Sequence, residues 1–195
     1  MRGFLTYGLL ILLGLAAGIG LAVMQVKGGL SGGGIANGPW RSAENVGTAK
    51  AGLQTRAVVA VNGLLALPDS EATYFNAKVD SNGDALDGSC HYLVKGGAIP
   101  ARWWSMTAYG QDGYLMANRT GYYSVSSAML DAASQNDWAI SVGPDNMVTP
   151  ENMWIPTLAG EAFELTLRAY HPEAKLLAGR ATVPLPSIEK QGCPS

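Results

Sequence analysis

The sequence predicts an all-β domain of the sandwich or barrel type, with one packing helix, behind a single N-terminal transmembrane helix. Three observations lead to this prediction: a long charge-free run at the N-terminus, a short amphipathic pattern after it, and short strand-like segments from residue 71 onward. The chain has 195 residues and a formal net charge of -2. Its length suits one domain plus an appendage. Its near-neutral charge argues against nucleic acid as a partner, which requires a basic surface.

The N-terminal run is the strongest signal, because residues 3–26 carry no charge. A helix of about 20 apolar residues spans the roughly 30 Å of hydrocarbon in a bilayer. The terminal amine and Arg2 precede the run and Lys27 follows it, so the positive-inside rule favours a cytoplasmic N-terminus. We therefore expect a single-pass anchor in the inner or plasma membrane, with the domain on the extracytoplasmic (periplasmic) side. A cleaved signal peptide with a site at Gly20-Leu21-Ala22 is the alternative, and it also exports the domain.

A glycine-rich linker follows the anchor. The segment KGGLSGGGIANG, which starts at Lys27, has no periodicity, and its composition is typical of flexible chain. We divide the chain into residues 1–27 as the anchor or signal peptide, 28–39 as the linker and 40–195 as the extracytoplasmic domain.

Residues 42–67 are predicted to form the packing helix. Apolar residues recur there at spacings of three and four, which is the pattern of an amphipathic helix. These residues are Ala49, Leu53, Ala57, Ala60 and Leu64. Ser42 or Asn45 is a suitable N-cap. Pro68 ends the pattern, because proline disrupts a helix interior.

Short strands separated by turns account for the rest of the chain. We predict strands at 73–79, 90–95, 102–109, 122–126, 138–142 and 163–170, a weak seventh at 178–183, and a helical turn at 127–133. Glycine, asparagine and aspartate lie between most of them. This spacing and punctuation favour a sandwich or barrel over a βαβ fold.

The third predicted strand carries two adjacent tryptophans. Side chains alternate between the two faces of a strand, so Trp103 and Tyr109 share one face and Trp104 lies on the other. We expect one tryptophan in the core. The other is a candidate platform for a sugar ring or for the apolar surface of a partner. The alternative is that protein covers both.

The sixth predicted strand separates into an apolar face and a polar face. Glu164, Arg168 and Tyr170 lie on the polar face. Arg168 is a candidate fork for a carboxylate or phosphate, because a guanidinium binds both through paired hydrogen bonds. Arg102 is a second candidate anion contact. The alternative for Arg168 is a solvated face with an ion pair to Glu164.

The two cysteines, Cys90 and Cys193, are candidates for one disulfide in an exported chain. Two separate thiols are the alternative. We expect no metal site and no cofactor. The spacing of His91 and His171 matches no zinc pattern. The acidic segment 80–87 lacks the glutamate that completes an EF-hand loop, and a hairpin turn explains it more simply.

Several motifs, in this order, resemble the family catalogued as domain of unknown function 1214. They are Glu71-Ala72-Thr73-Tyr74-Phe75, Asp80-Ser81-Asn82-Gly83, Pro100-Ala101-Arg102-Trp103-Trp104-Ser105-Met106-Thr107-Ala108-Tyr109, Trp154-Ile155-Pro156 and Phe163-Glu164-Leu165-Thr166-Leu167-Arg168-Ala169-Tyr170. Together they cover most of the exported domain. The resemblance implies a jelly-roll-like β-sandwich.

The resemblance also implies a partner. Members of this family often accompany a domain of unknown function 1254, either in one chain or as a separate anchored protein. This chain has room for one module, so a separate companion envelope protein is implied. Two positions depart from the family pattern: Tyr122 replaces an arginine, and Thr182-Val183-Pro184 replaces Trp-Pro-Pro. We assign no role to those positions.

We expect a membrane-anchored, non-catalytic binding or assembly module for a companion protein or an envelope glycan. The basis is the anchor, the aromatic residues and the lack of a nucleophile or metal motif in the sequence. The ligand-binding candidates are Arg102, Trp103, Trp104, Tyr109, Trp154, Glu164, Arg168 and Tyr170. One alternative is an envelope hydrolase or isomerase that uses carboxylates such as Asp80, Asp112 or Glu164. A structural spacer is a third reading.

Overall fold

The computed structural model describes residues 2–27, 34–61, 66–145 and 153–193. The N-terminal run forms one helix, α1 (Arg2–Lys27). Within α1, Thr6–Met24 is long and apolar enough to cross a membrane, and none of that segment is buried in the protein. The apolar run is therefore a helix of membrane-spanning length, as its composition predicts.

Ten strands and two further helices follow α1 among the described residues. The strands are β1 (Ile35–Asn37), β2 (Trp40–Ser42), β3 (Ala72–Ala77), β4 (His91–Gly96), β5 (Ala101–Gly110), β6 (Ser124–Ser126), β7 (Trp138–Gly143), β8 (Trp154–Pro156), β9 (Phe163–Pro172) and β10 (Ser187–Gly192). The helices are α2 (Leu53–Val61) and α3 (Ala174–Ala178). A single turn of 3-10 helix at Ser127–Met129 follows β6.

The strands form two sheets that pack face to face. The larger sheet has six strands in the order β1-β2-β3-β9-β5-β6, and the smaller has four in the order β10-β4-β7-β8. Neighbouring strands are antiparallel except β7 and β8. This arrangement confirms the predicted all-β sandwich with an N-terminal apolar helix.

The core lies between the sheets and is built from both. Phe75, Met106 and Leu167 of the larger sheet are fully buried with Val94 and Ile140 of the smaller one. Each such side chain contributes about 1.5–3 kcal/mol by leaving water. Alternation along the strands supplies this apolar layer, because every second residue faces the opposite sheet.

Two aromatic pairs connect the sheets directly. The ring centroids of Trp104 and Trp138 are 4.7 Å apart. Those of Tyr92 and Phe163 are 5.8 Å apart in an edge-to-face arrangement. Burial raises the pKa of the Tyr92 hydroxyl, which accepts a hydrogen bond from the Asp87 N–H at 2.9 Å. Tyr92 is therefore a neutral core residue at physiological pH.

Six of the seven predicted strands occur, and the weak seventh is wrong. Residues 178–183 end α3 and turn, since the Gly179 carbonyl accepts hydrogen bonds from the N–H groups of Thr182 and Val183. The last strand is β10, which follows Pro184 and Pro186. Proline has no backbone N–H and cannot donate a hydrogen bond to a neighbouring strand, so strand pairing begins only after these two residues.

The packing helix is shorter than predicted. Ser42 belongs to β2, and α2 begins at Leu53. Asn45 and Gly47 have φ values of 59° and 75°, which a right-handed helix does not allow. Leu53 of the predicted stripe is 85% exposed, whereas Val58 is 2% exposed and packs inward. Leu64, the last residue of the predicted apolar stripe, lies outside the described residues.

Part of the predicted linker is structured. Residues 28–33 lie outside the described residues, but Ile35–Asn37 forms β1 and pairs with β2. Gly38 adopts a φ of 56° in the turn between them, a conformation that glycine accepts without strain. The Asn37 amide donates to the carbonyls of Arg180 and Val183 at 3.0 and 2.8 Å. These side-chain bonds fix the end of the linker on the domain.

A buried arginine with several polar partners lies at the end of the sandwich near α3. Arg180 is 5% exposed, and its guanidinium lies 3.0 Å from an Asp69 carboxylate oxygen. It also donates to the Leu177 carbonyl at 3.2 Å and to Thr73 Oγ1 at 3.4 Å. A charge this deep needs such partners, because an unpaired buried charge costs several kcal/mol.

A disulfide joins Cys90 to Cys193, so the candidate pairing from the sequence is present. Cys90 is buried directly before β4, and Cys193 directly follows β10. The bond therefore holds the outer strand of the smaller sheet to its neighbour at one end.

Replacing Cys193 with serine should lower the free energy of unfolding by about 2–4 kcal/mol, because the disulfide closes a long loop of the unfolded chain. Urea unfolding of the full chain in detergent, followed by tryptophan fluorescence, measures this. A reductant should reduce the stability of the wild type to that of Cys193→Ser and leave the variant unchanged. Equal stability of the oxidised wild type and the variant contradicts the prediction.

Candidate functional site

The outward side chains of β3, β9, β5 and β6 form what we call the polar face of the larger sheet. The register pairs Tyr74 with Arg168, Arg168 with Ser105, and Ser105 with Ser126 across these four strands. The polar face comprises Tyr74, Asn76, Trp103, Ser105, Thr107, Tyr109, Ser124, Ser126, Glu164, Thr166, Arg168 and Tyr170. Five of the eight ligand-binding candidates from the sequence therefore share one surface.

Arg168 lies near the centre of the polar face and is held by neutral groups. Its guanidinium donates to the Tyr109 hydroxyl at 2.8 Å and to Thr107 Oγ1 at 3.4 Å. The guanidinium carbon is 5.2 Å from the centroid of the Tyr109 ring, which is cation–π distance. No carboxylate among the described residues forms an ion pair with Arg168. The polar face thus presents a cation that is positioned but not neutralised.

The alternative ion pair between Glu164 and Arg168 is absent. Glu164 instead lies 3.5 Å from the Lys78 ammonium. Residues four apart on one strand are separated by about 13 Å, so their side chains do not meet. Strand geometry therefore leaves Arg168 without an acidic partner on its own strand.

An aromatic pair occupies one end of the polar face. Trp103 and Tyr170 are cross-strand neighbours with ring centroids 5.1 Å apart. Trp103 is 37% exposed. Aromatic rings of this kind present an apolar surface to a ligand beside the polar groups.

Trp104 and Trp154, two of the candidates, lie away from the polar face. Trp104 is 3% exposed and packs on Trp138 in the core. The outward platform is therefore Trp103, as the alternation along β5 requires. Trp154 is half-buried on β8 of the smaller sheet, where its Nε1–H donates to the Gly143 carbonyl at 3.0 Å.

Arg102 lies at the beginning of β5 and lines a separate pocket. The pocket has a volume of about 330 Å³ and runs between residues 101–104 and the connection after β6. Ser127, Ala128 and Gln135 line the side formed by that connection. Arg102 thus belongs to the edge of the larger sheet rather than to the polar face.

Of the three carboxylates considered for catalysis, two accept backbone hydrogen bonds within turns and one forms an ion pair. Asp80 is 1% exposed, and its Oδ1 accepts hydrogen bonds from the N–H groups of Asn82 and Asp84. Asp112 Oδ1 accepts one from the Tyr114 N–H. Within the described ranges, no group of three or more His, Cys, Asp or Glu residues is arranged to hold a metal ion. The segment 80–87 contains the predicted turn.

Sequence reasoning did not assign Thr107 and Lys78 to the site. Thr107 contacts the Arg168 guanidinium, and Lys78 pairs with Glu164. Thr107 lies on the same face of β5 as Trp103 and Tyr109, so the period of two was the signal available for it. Lys78 lies just beyond β3, and only the sheet order brings it to Glu164.

The two adjacent tryptophans should respond differently to truncation. Trp104→Ala should lower the free energy of unfolding by about 3–5 kcal/mol, because it leaves a cavity in the core. Trp103→Ala should cost about 1 kcal/mol, since it removes a half-exposed aromatic pair. Urea unfolding of both variants tests this, and similar losses for the two contradict the assignment of faces.

A solved structure supports the fold. A Vibrio parahaemolyticus protein, VPA0106, matches with a TM-score of 0.58 and 23% identity over 70% of this chain and 35% of its own. The present chain therefore spans about a third of that protein. A Burkholderia cenocepacia protein matches with a TM-score of 0.39 and 16% identity, over 64% of this chain and 31% of its own. No curated protein matches.

The family comparison covers the part of the chain that builds the polar face. The match is to the family described as "Protein of unknown function (DUF1214)" and spans residues 71–174, just over half of the chain. That range begins one residue before β3 and contains β5, β6 and β9. The chain belongs to the DUF1214 family.

Proposed function

We propose that this protein is a membrane-anchored, non-catalytic binding module that uses the polar face to hold a carboxylate-bearing partner in the cell envelope. The observation that carries the proposal is the Arg168 guanidinium, held over the Tyr109 ring and bonded to two hydroxyls. A guanidinium fixed in this way is preorganised, so a ligand need not order it on binding.

The charges around Arg168 favour an anionic ligand. The nearest acidic side chain on the same strand, Glu164, is engaged by Lys78. The small hydroxyl residues Ser105, Thr107 and Thr166 are 5–7% exposed and leave Arg168 as the prominent charge of the central face. Carboxylates match the guanidinium fork in charge and in geometry.

Two sources supply such a carboxylate in the envelope. A companion protein of the domain of unknown function 1254 family, implied by the family resemblance, is the first. An acidic envelope glycan is the second, and the exposed ring of Trp103 gives it a stacking surface beside the cation. The same face serves either one, and the experiment below distinguishes them.

The proposed location is the inner or plasma membrane, with the domain on the extracytoplasmic side. A helix of membrane-spanning length supports the anchor. The disulfide between Cys90 and Cys193 supports export, because disulfides persist in oxidising compartments. The N-terminal positive charges favour the same orientation.

Arg168→Met should weaken binding of the carboxylate ligand by about 10- to 100-fold, because hydrogen bonds to a charged group are worth about 1.5–3 kcal/mol. Calorimetry of the full chain in detergent should use three probes: the purified companion protein, an oligouronate, and the carboxyl-reduced form of that oligouronate. Binding of the oligouronate alone identifies the glycan, and binding of the companion alone identifies the protein.

Arg119→Met is the matched control, since Arg119 is an exposed arginine in the connection between β5 and β6. It should bind like the wild type. Equal affinities of Arg168→Met and Arg119→Met for every probe overturn the proposal. Asp112→Asn and Glu164→Gln should retain binding. Loss of biological function in either variant with binding intact favours the hydrolase or isomerase instead.

The anchor predicts the behaviour of the chain in its own membrane. Alkaline carbonate should leave the full-length protein in the pellet, because α1 remains in the bilayer. Protease added from the extracytoplasmic side should digest the domain, and protease added from the cytoplasmic side should not. Release of a shortened soluble chain by carbonate indicates a cleaved signal peptide.

A further inference from the structure

The short helix α2 turns part of its apolar surface away from the domain. α2 spans Leu53–Val61, and Val58 packs inward, whereas Leu53 is 85% exposed. Ala57 and Ala60 follow Leu53 at spacings of four and three, which places the three side chains on one side of the helix. Ala60 is exposed and Ala57 is half-buried. We call Leu53, Ala57 and Ala60 the outer stripe of α2.

The outer stripe lies next to the anchor helix. An exposed leucine alone is ordinary on a protein surface, but here Cα atoms of α1 and α2 come within 8 Å of each other. α1 ends at Lys27 and β1 begins at Ile35, so the connection between them can span at most about 29 Å. A bilayer around α1 would therefore bring lipid to the outer stripe.

The charge around the outer stripe is positive. Residues 45–68 contain Lys50 and Arg56 but no aspartate or glutamate, and both basic side chains are exposed. The two acids that flank this segment, Glu44 and Asp69, lie 4.0 and 3.0 Å from the guanidinium of the buried arginine near α3. An apolar stripe with basic residues beside it is typical of helices that lie in the interfacial layer of a membrane, where the basic side chains extend to lipid phosphates.

We propose that the outer stripe of α2 docks on the surface of the bilayer that α1 spans. Leu53 would enter the acyl layer just below the headgroups, and Lys50 and Arg56 would contact lipid phosphates. This inference rests on the anchor of the proposed function and is independent of the polar-face ligand. Docking would hold the polar face close to the membrane, because the Leu67 N–H donates to the Tyr74 hydroxyl of that face at 3.2 Å.

A fluorescent label on the outer stripe tests this docking. Ala60→Cys is labelled with nitrobenzoxadiazole, because the two native cysteines are joined and leave the new thiol to react. The full chain is placed, one copy per disc, in nanodiscs of phosphatidylcholine and phosphatidylglycerol with or without doxyl groups near the top of the acyl chains. Doxyl lipid should quench this label at least about twofold more than the same label on Tyr114→Cys, which is exposed in the connection between β5 and β6.

Two leucine variants show whether the outer stripe is responsible. Leu53→Glu should remove most of the quenching at residue 60, because a carboxylate opposes insertion into the acyl layer and repels anionic lipid. Leu115→Glu is the matched control, since Leu115 is an exposed leucine of the connection between β5 and β6, and it should leave the quenching unchanged. Both unlabelled variants should unfold at the wild-type urea concentration, since both leucines are exposed.

Equal quenching at residues 60 and 114 overturns the proposal, and so does equal quenching in Leu53→Glu and Leu115→Glu. Energy transfer between labelled chains in micelles that Leu53→Glu removes, without quenching in the discs, would identify a second copy of the chain as the occupant instead of lipid. A chain that elutes apart from the discs overturns the anchor and the docking together. Elution with the discs without quenching at residue 60 overturns the docking alone.

Discussion

The antiparallel pairing of β5 with β9 is the interaction on which the rest of the structure depends. Both strands contain ten residues, and their register runs from Ala101 opposite Pro172 to Gly110 opposite Phe163. Because side chains alternate, one register produces both an apolar layer and the polar face. A slip of one residue would turn the core residues outward and bury Arg168.

The smaller sheet makes this pairing stable by covering its apolar side. The contact between Trp104 and Trp138 joins the two sheets at one end of β5. Trp40 is 1% exposed on β2, and its Nε1–H donates to the Pro186 carbonyl at 2.7 Å. This bond links the beginning of the domain to the segment before β10. Long-range contacts of this kind complete the sandwich around the central pair.

The sequence predicts the long alternating strands well and most of the three-residue strands poorly. β5 and β9 have clear periods of two, so their faces, and with them Trp103 and Arg168, follow from the pattern alone. β1, β2 and β8 have three residues each, too few to show a period. Their positions depend on tertiary bonds such as that of Trp40. The lack of an ion pair between Glu164 and Arg168 follows from their separation along β9, whereas the pairing of Glu164 with Lys78 depends on the sheet order.

The disulfide also has a mechanical consequence. It closes a covalent ring that begins at Cys90 and ends at Cys193, and β4 to β10 lie within that ring. A force that pulls the N-terminus away from the C-terminus enters the domain through β1, so it can extend the chain before Cys90 but not the residues within the ring. The ring transmits tension through its sulfur bridge without lengthening. A force large enough to separate β1 and β2 from the sheet would therefore leave the register of β5, β6 and β9 unchanged.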